Sequence, residues 1–262
     1  MIETIIVNPD PKRLIEGLRD TGYNFCMAVA DLIDNSIAAE ATRVDVRIQM
    51  DYLGKIDLMI ADNGCGMNRD QLIAAMKYGS PPRSNPRSLG KFGLGLKTAS
   101  TAFCKRLSVI SRADCSIPAF KATWDLEHVA QKGAWELLIS DPESEELDFL
   151  EGIAMQERGT VVRWEEVDRL LKEYSDPAGR NARNALDRRI KELVEHVSMV
   201  YQRFLNDSDQ RESQNIQMWI NGEKIQPWDP FCIDEAELTA QTTMPLGFED
   251  NEDVLGEFTV RA

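Results

Sequence analysis

Three groups of residues in this 262-residue chain have types and spacings that could do chemistry. Asp31 and Asn35 are four apart, which on a helix puts a carboxylate and an amide on one face. Asp62-Asn63-Gly64-Cys65-Gly66 ends an apolar run, and its Asn and glycines tolerate the positive φ of a tight turn. Gly90, Gly93 and Gly95 lead into an apolar helical segment, where backbone N–H groups and the helix dipole favour an anion such as phosphate. Each group is common alone: a carboxylate and an amide at that spacing usually mark a solvated face, and Asn-Gly usually marks a plain turn. Their occurrence in this order is far rarer. Two better-known phosphate motifs are excluded. A P-loop needs Gly directly before Lys-Ser/Thr, and here Leu96 precedes Lys97-Thr98. The G-x-G-x-x-G pattern fails because Arg69 stands where the third Gly should be after Gly64 and Gly66.

The elements that must position these groups are legible as periodicities. Asp10-Pro11 reads as the capped start of a short helix. Phe25, Val29, Leu32, Ile33 and Ile37 recur at helical spacing, with Asp31, Asp34 and Asn35 on another face. Arg43–Ile48 alternates with period two, and Ile56–Ile60 follows a turn at Leu53-Gly54, which predicts a β-hairpin running into Asp62. Asn68 caps a helix to about Met76, and Tyr78 to Leu89, with three prolines, reads as a surface loop. A helix from Leu96 to about Cys104 follows, then strands at Leu107–Ile110, Phe120–Trp124 and Ala134–Ile139. An acidic segment, Asp141–Glu151, precedes a strand at Gly159–Trp164. Past Glu165 the pattern changes to one long amphipathic helix, Asn184–Leu205, then strand signals about Asn221-Gly222. We divide the chain at 167/168.

Composition narrows the classes. Forty-four acidic residues against 30 basic ones give a net charge of −14, which argues against a generically sticky nucleic-acid binder. The basic cluster Arg180, Arg183, Arg188, Arg189 and Lys191 reads first as a solvated helix face. No apolar run reaches membrane-spanning length and Met1-Ile2-Glu3-Thr4 does not resemble a secretory signal, so a cytoplasmic protein without membrane association is expected. Five scattered cysteines without a C-x-x-C pair, and only His128 and His196, predict reduced thiols and no structural zinc.

Over residues 14 to 164 these motifs resemble the GHKL ATPases, the Bergerat-fold superfamily of gyrase-type topoisomerases, large heat-shock chaperones, histidine kinases and MutL. The matching parts are Asp31-Leu32-Ile33-Asp34-Asn35, the Asp62–Gly66 turn, a variable lid, the Gly90–Gly95 turn and a late Gly159-Thr160. Their wording is most similar to the MORC-like branch. The resemblance implies an α+β fold: a two-layer α/β sandwich with a mixed, mostly antiparallel sheet covered by helices. It also implies that residues 168–262 begin a transducer-like α/β domain. ATP and Mg²⁺ are the implied cofactors. Asp62 would accept the exocyclic amine of adenine, with Gly64, Gly66 and Met67 against the base and Thr160 in support. Asn35 would ligate Mg²⁺. Gly90, Gly93, Leu94, Gly95 and Lys97 would hold the phosphates under the lid. Asp31 stands where the family usually has Glu as the base for the attacking water, one methylene shorter, and is preferred to Asp34 for that role. The implied function is a slowly hydrolysing ATPase acting as a nucleotide-gated dimerising switch, DNA-associated through the full-length protein or active in genome defence. A protein-remodelling chaperone and a non-hydrolysing adenine-nucleotide sensor remain open.

Overall fold

The computed structural model describes residues 4–5, 10–78, 95–206, 215–229, 241–246 and 256–261. Helix α1 (Pro11–Arg19) starts where Asp10 accepts the N–H of Arg13 and Pro11 fills the first turn. Asn24 caps α2 (Phe25–Ala38) by accepting from the Cys26 N–H. Strands β1 (Arg43–Met50) and β2 (Ile56–Asp62) make the expected antiparallel hairpin. Asn68 and Gln71 form a reciprocal capping box at the start of α3 (Arg69–Met76). The chain continues through α4 (Gly95–Thr101), β3 (Cys104–Arg112), β4 (Phe120–Asp125), α5 (Leu126–Lys132), β5 (Leu138–Ser140), α6 (Ser144–Ala154) and β6 (Gly159–Val167). Then come α7 (Arg180–Val200), the single turn α8 (Gln202–Leu205), β7 (Gln217–Ile220) and β8 (Glu223–Lys224). Among the described residues, strands β9 (Gln241–Leu246) and β10 (Gly256–Arg261) pair only with each other.

Eight strands form one sheet in the order β5-β4-β3-β6-β2-β1-β7-β8, antiparallel except where β7 lies parallel to β1. This is the mixed, mostly antiparallel α+β architecture of the Bergerat fold. Because side chains alternate along each strand, β2 serves two cores. Leu58 and Ile60 face the larger one with Val29, Leu32 and Ile33 of α2, Val109 of β3 and Trp164 of β6. Met59 and Ala61 face a smaller one with Ile110, Val161 and Leu150 of α6. Asp62 has the parity of Leu58 and Ile60, so it opens toward α2.

Two elements differ from the sequence reading, and one segment given no element there forms a helix. The acidic segment is helix α6, which lies on the second sheet face and brings carboxylates to cations rising from the strands. Lys121 donates to Glu146 at 2.7 Å, with the lysine side chain 2% exposed and the glutamate 0%. Arg163 meets Asp57 at 2.8 Å, and Arg112 meets Glu151 at 2.6 Å. The strand expected from Ala134 to Ile139 is only β5, while α5, capped by the Asp125 side chain, precedes it. The long helix breaks at Tyr201 into α7 and α8. Beyond 167, β7 and β8 extend the first sheet, while β9 and β10 form a separate pair. Residues Asn221 and Gly222, at φ 49° and 82°, turn β7 into β8, and the Asn221 amide bonds both the N–H and the carbonyl of Ile48. Leu186, Leu193 and Val197 of α7 enter the larger core. Among the described residues no helix is long and apolar enough to cross a membrane.

Candidate functional site

Asp62, Thr160 and Ser111 occupy one row across three neighbouring strands, because the register pairs Asp62 with Thr160 and Thr160 with Ser111. Directly opposed residues share a sheet face, so the row presents one carboxylate and two hydroxyls toward α2. Asp62 is 6% exposed. Its Oδ1 accepts the Gly64 N–H at 2.9 Å and its Oδ2 accepts the Ser36 hydroxyl at 2.9 Å. Burial nevertheless pushes the carboxyl up to about 6, against the pull of those two donors. Thr160 Oγ1 and Ser111 Oγ are 2.8 Å apart, and Ser111 Oγ also accepts the Met67 N–H at 2.8 Å. That last bond ties the turn after β2 to the end of β3.

The glycines of the turn are dictated by close approach. A Cβ on Gly64 would stand 2.7 Å from the Ala39 carbonyl oxygen and 2.9 Å from Asp62 Oδ1. Gly66 has φ 61°, and a Cβ there would overlap the Arg112 carbonyl. Cys65 is exposed between them and donates its N–H to the Ala39 carbonyl at 2.8 Å.

Helix α2 carries the second half of the site. Asn35 Nδ2 donates to the Asp31 carbonyl one turn back at 2.8 Å, which fixes the rotation of the amide. Asp31 Oδ2 accepts from the Tyr23 hydroxyl at 3.0 Å and lies 3.5 Å from where a Cβ on Gly95 would stand. The Asp31 carboxylate therefore borders the first residue of α4. Asp34 turns elsewhere: Oδ1 accepts from the Tyr201 hydroxyl at 2.7 Å, and burial raises its carboxyl above the usual range. Asp31 and Ser36, the α2 residue that bonds Asp62, are five residues apart, about 7.5 Å of helix rise.

Lys97 is placed differently from a residue facing open solvent. Its ammonium donates to the carbonyls of Ala75 at 2.8 Å and Lys77 at 2.7 Å, at the end of α3, while Trp124 Nε1 takes the Met76 carbonyl. Burial lowers the ammonium to about 8. Gly90, Gly93 and Leu94 lie outside the described residues. Of the residues singled out from sequence, the structure brings Asp62, Gly64, Gly66, Met67 and Thr160 together, and sets Asp31, Asn35 and Gly95 along α2 and the start of α4. Sequence reading missed Ser36, Ser111 and Tyr23. Ser36 follows Asn35 directly, a cue too slight to single out, whereas Ser111 and Tyr23 become visible only through strand register and the approach of α4.

Chemically, the buried carboxylate and its hydroxyl row can accept hydrogen bonds from an amine, and the α2 face offers a carboxylate and an amide oxygen beside a glycine-rich entry. The chain matches the family described as histidine kinase-, DNA gyrase B-, and HSP90-like ATPase over residues 23–160. It is 33% identical over 91 residues to ATPase MORC2B of Mus musculus, covering 33% of this chain and 9% of that protein. ATPase MORC2 of Homo sapiens is 30% identical over 91 residues, again 33% of this chain and 9% of the relative. DNA mismatch repair protein MutL of Phenylobacterium zucineum is 32% identical over 95 residues, 33% of this chain and 15% of the relative. The chain thus spans less than a fifth of the length of these relatives. With the family match covering more than half of its residues, this chain belongs to the histidine kinase-, DNA gyrase B- and HSP90-like (GHKL) ATPases.

Proposed function

We propose that this chain binds ATP with magnesium and hydrolyses it slowly, using the cycle as a dimerising conformational switch of the MORC type. The observation that carries the reading is Asp62: a buried carboxylate with both oxygens held by Gly64 and Ser36, on one row with Thr160 and Ser111. An ionised acceptor at that place favours the amino group of adenine over the carbonyl of guanine. Gly64, Gly66 and Met67 would line the base, and Gly95 would border the phosphates, with Gly90, Gly93 and Leu94, outside the described residues, assigned to them by the family resemblance. Lys97 joins the phosphates only by leaving the α3 carbonyls. The donor set suits magnesium: Asn35 offers a single neutral oxygen, and this cation characteristically takes few protein ligands and completes its shell with phosphate oxygens and water. When bound it neutralises charge on the phosphates. Asp31 orients or deprotonates the attacking water. Residues 168–262 begin the transducer, and Tyr201, hydrogen-bonded to Asp34, connects α7 and α8 to the nucleotide helix. The likeness to a DNA mismatch repair protein supports a DNA-associated role for the full-length protein, while the cytoplasmic placement rests on the sequence reading.

The test is calorimetry with ATP and magnesium, followed by phosphate release from the unmodified chain and Asp31→Ala. Binding by both with release only from the unmodified chain supports the reading; no heat with either sinks it. Equal background release from both favours the second reading, a nucleotide sensor without turnover, which the short side chain at position 31 keeps in play.

The raised carboxyl of Asp62 adds a pH signature. A neutral carboxyl is a poorer acceptor, so affinity for adenosine, which carries no titrating phosphate, is expected to be steady above pH 7. As pH falls through about 6 it drops, reaching roughly tenfold weaker near pH 5. Calorimetry across that range checks it, and flat affinity down to pH 5 counts against Asp62 as the acceptor.

A further inference from the structure

We propose that Tyr23 is a positioning residue for hydrolysis, its phenol holding the Asp31 carboxylate in line with the attacking water. The inference rests on the reading of Asp31 given above. Tyr23 sits between Gly22, at φ 73°, and Asn24, the cap of α2. Its hydroxyl donates to Asp31 Oδ2 at 3.0 Å, and the Thr98 hydroxyl of α4 bears on the same phenol oxygen. That Oδ2 is the oxygen nearest to Gly95. The turn before α2, α2 itself and α4 therefore converge on one carboxylate oxygen.

The arrangement answers the departure at position 31. Aspartate is one methylene shorter than the glutamate usual in this family, so it cannot swing far to find a water; its direction has to be set from outside. Without a donor on Oδ2, the side chain is free to rotate toward its other staggered conformers, away from Gly95. Tyr23 supplies that donor from a neutral group. Because the phenol touches the carboxylate and not the nucleotide-binding turn around Asp62, its loss acts on the chemical step rather than on ATP capture.

Single-turnover and steady-state phosphate release on the full chain test this. For Tyr23→Phe, kcat is expected to fall about 10- to 100-fold, the cost of misplacing a reacting group by about 1 Å, while KM for ATP stays within about twofold. Thr98→Val, which removes the hydroxyl behind the phenol, gives a smaller loss of the same kind. It serves as the second variant should Tyr23→Phe melt below the assay temperature. Adding Asp31→Glu to Tyr23→Phe restores a large part of the rate, because the longer side chain no longer depends on the phenol for its reach. Unchanged kcat in Tyr23→Phe, or parallel losses in kcat and ATP affinity, overturns the positioning role. The two failures separate cleanly. If Asp31→Ala releases phosphate as fast as the unmodified chain, the reading of Asp31 falls and Tyr23 with it. If Asp31→Ala is inactive while Tyr23→Phe is fully active, only Tyr23 is overturned.

Discussion

Asp62→Asn is expected to make the protein more stable and almost unable to bind ATP. The two effects come from one cause. Burial moves the Asp62 carboxyl from 3.8 up to about 6, so in the folded state the charged form is disfavoured relative to the unfolded chain. Between those values the folded state holds more protons than the unfolded one, and stability falls as pH rises through the window; above about pH 6 the full penalty is present. Removing the charge lifts up to about 3 kcal/mol at pH 7, an upper bound because the buried site relaxes. The Asn carbonyl can still accept from the Gly64 N–H, and Ser36, which already lies 3.4 Å from the Leu32 carbonyl, can turn its proton there and accept from the new amide. That arrangement points an N–H where the adenine amine needs an acceptor. The lost charge-assisted bond alone is worth about 1.5–3 kcal/mol, roughly 10- to 150-fold in affinity, and the donor-against-donor contact adds to it. Differential scanning calorimetry and ATP titration of the same sample check both halves. A lower melting temperature with unchanged affinity would remove Asp62 from the site.

Glu146→Gln should produce the largest loss of stability without touching nucleotide binding. Glu146 lies on α6, on the opposite sheet face from Asp62, and is fully buried against Lys121 and Arg163 at 2.7 and 3.3 Å. Taking the carboxylate away leaves Lys121, itself 2% exposed, with only the solvent-facing Glu143 at 3.1 Å. Breaking one partner of such a buried pair costs about 3–5 kcal/mol, because the remaining ammonium lies away from water and keeps only a half-exposed carboxylate. For a chain of this size that corresponds to a drop in melting temperature of roughly 10 °C. Replacing both members, Lys121→Met with Glu146→Leu, is expected to recover most of the loss, since an apolar pair of similar volume carries no desolvation penalty. A shift under about 2 °C for Glu146→Gln would mean that the cluster is solvated and contributes little.

Local patterns carried much of this protein in readable form. The Asn68 capping box, the β1–β2 hairpin and the Asn221-Gly222 turn each depend on residues within a few positions of one another, and each is found where the sequence places it. The ordered motifs around Asp31, Asp62 and Thr160 likewise carry the family resemblance in the sequence itself. Other stretches carried no readable element. The acidic run 141–151 shows only its charge in the sequence, and in α6 its inward carboxylates meet Lys121, Arg163 and Arg112 on strands of the sheet.

What the tertiary structure alone decided is which side chains share an oxygen. Ser36 reaches Asp62 across 26 residues, Ser111 reaches Thr160 across 49, and Tyr201 reaches Asp34 across 167. None of these pairs leaves a periodic trace, because strand register and helix packing, not sequence spacing, bring them together. The parallel placement of β7 beside β1 is of the same kind: it is set by which sheet edge remains open once the hairpin and the later strands have paired. Sequence specified the chemistry available, since side-chain type and short-range hydrogen bonding are local properties. The fold specified its direction, since the burial that raises Asp62 and the contact that aims Asp31 are properties of the assembled core.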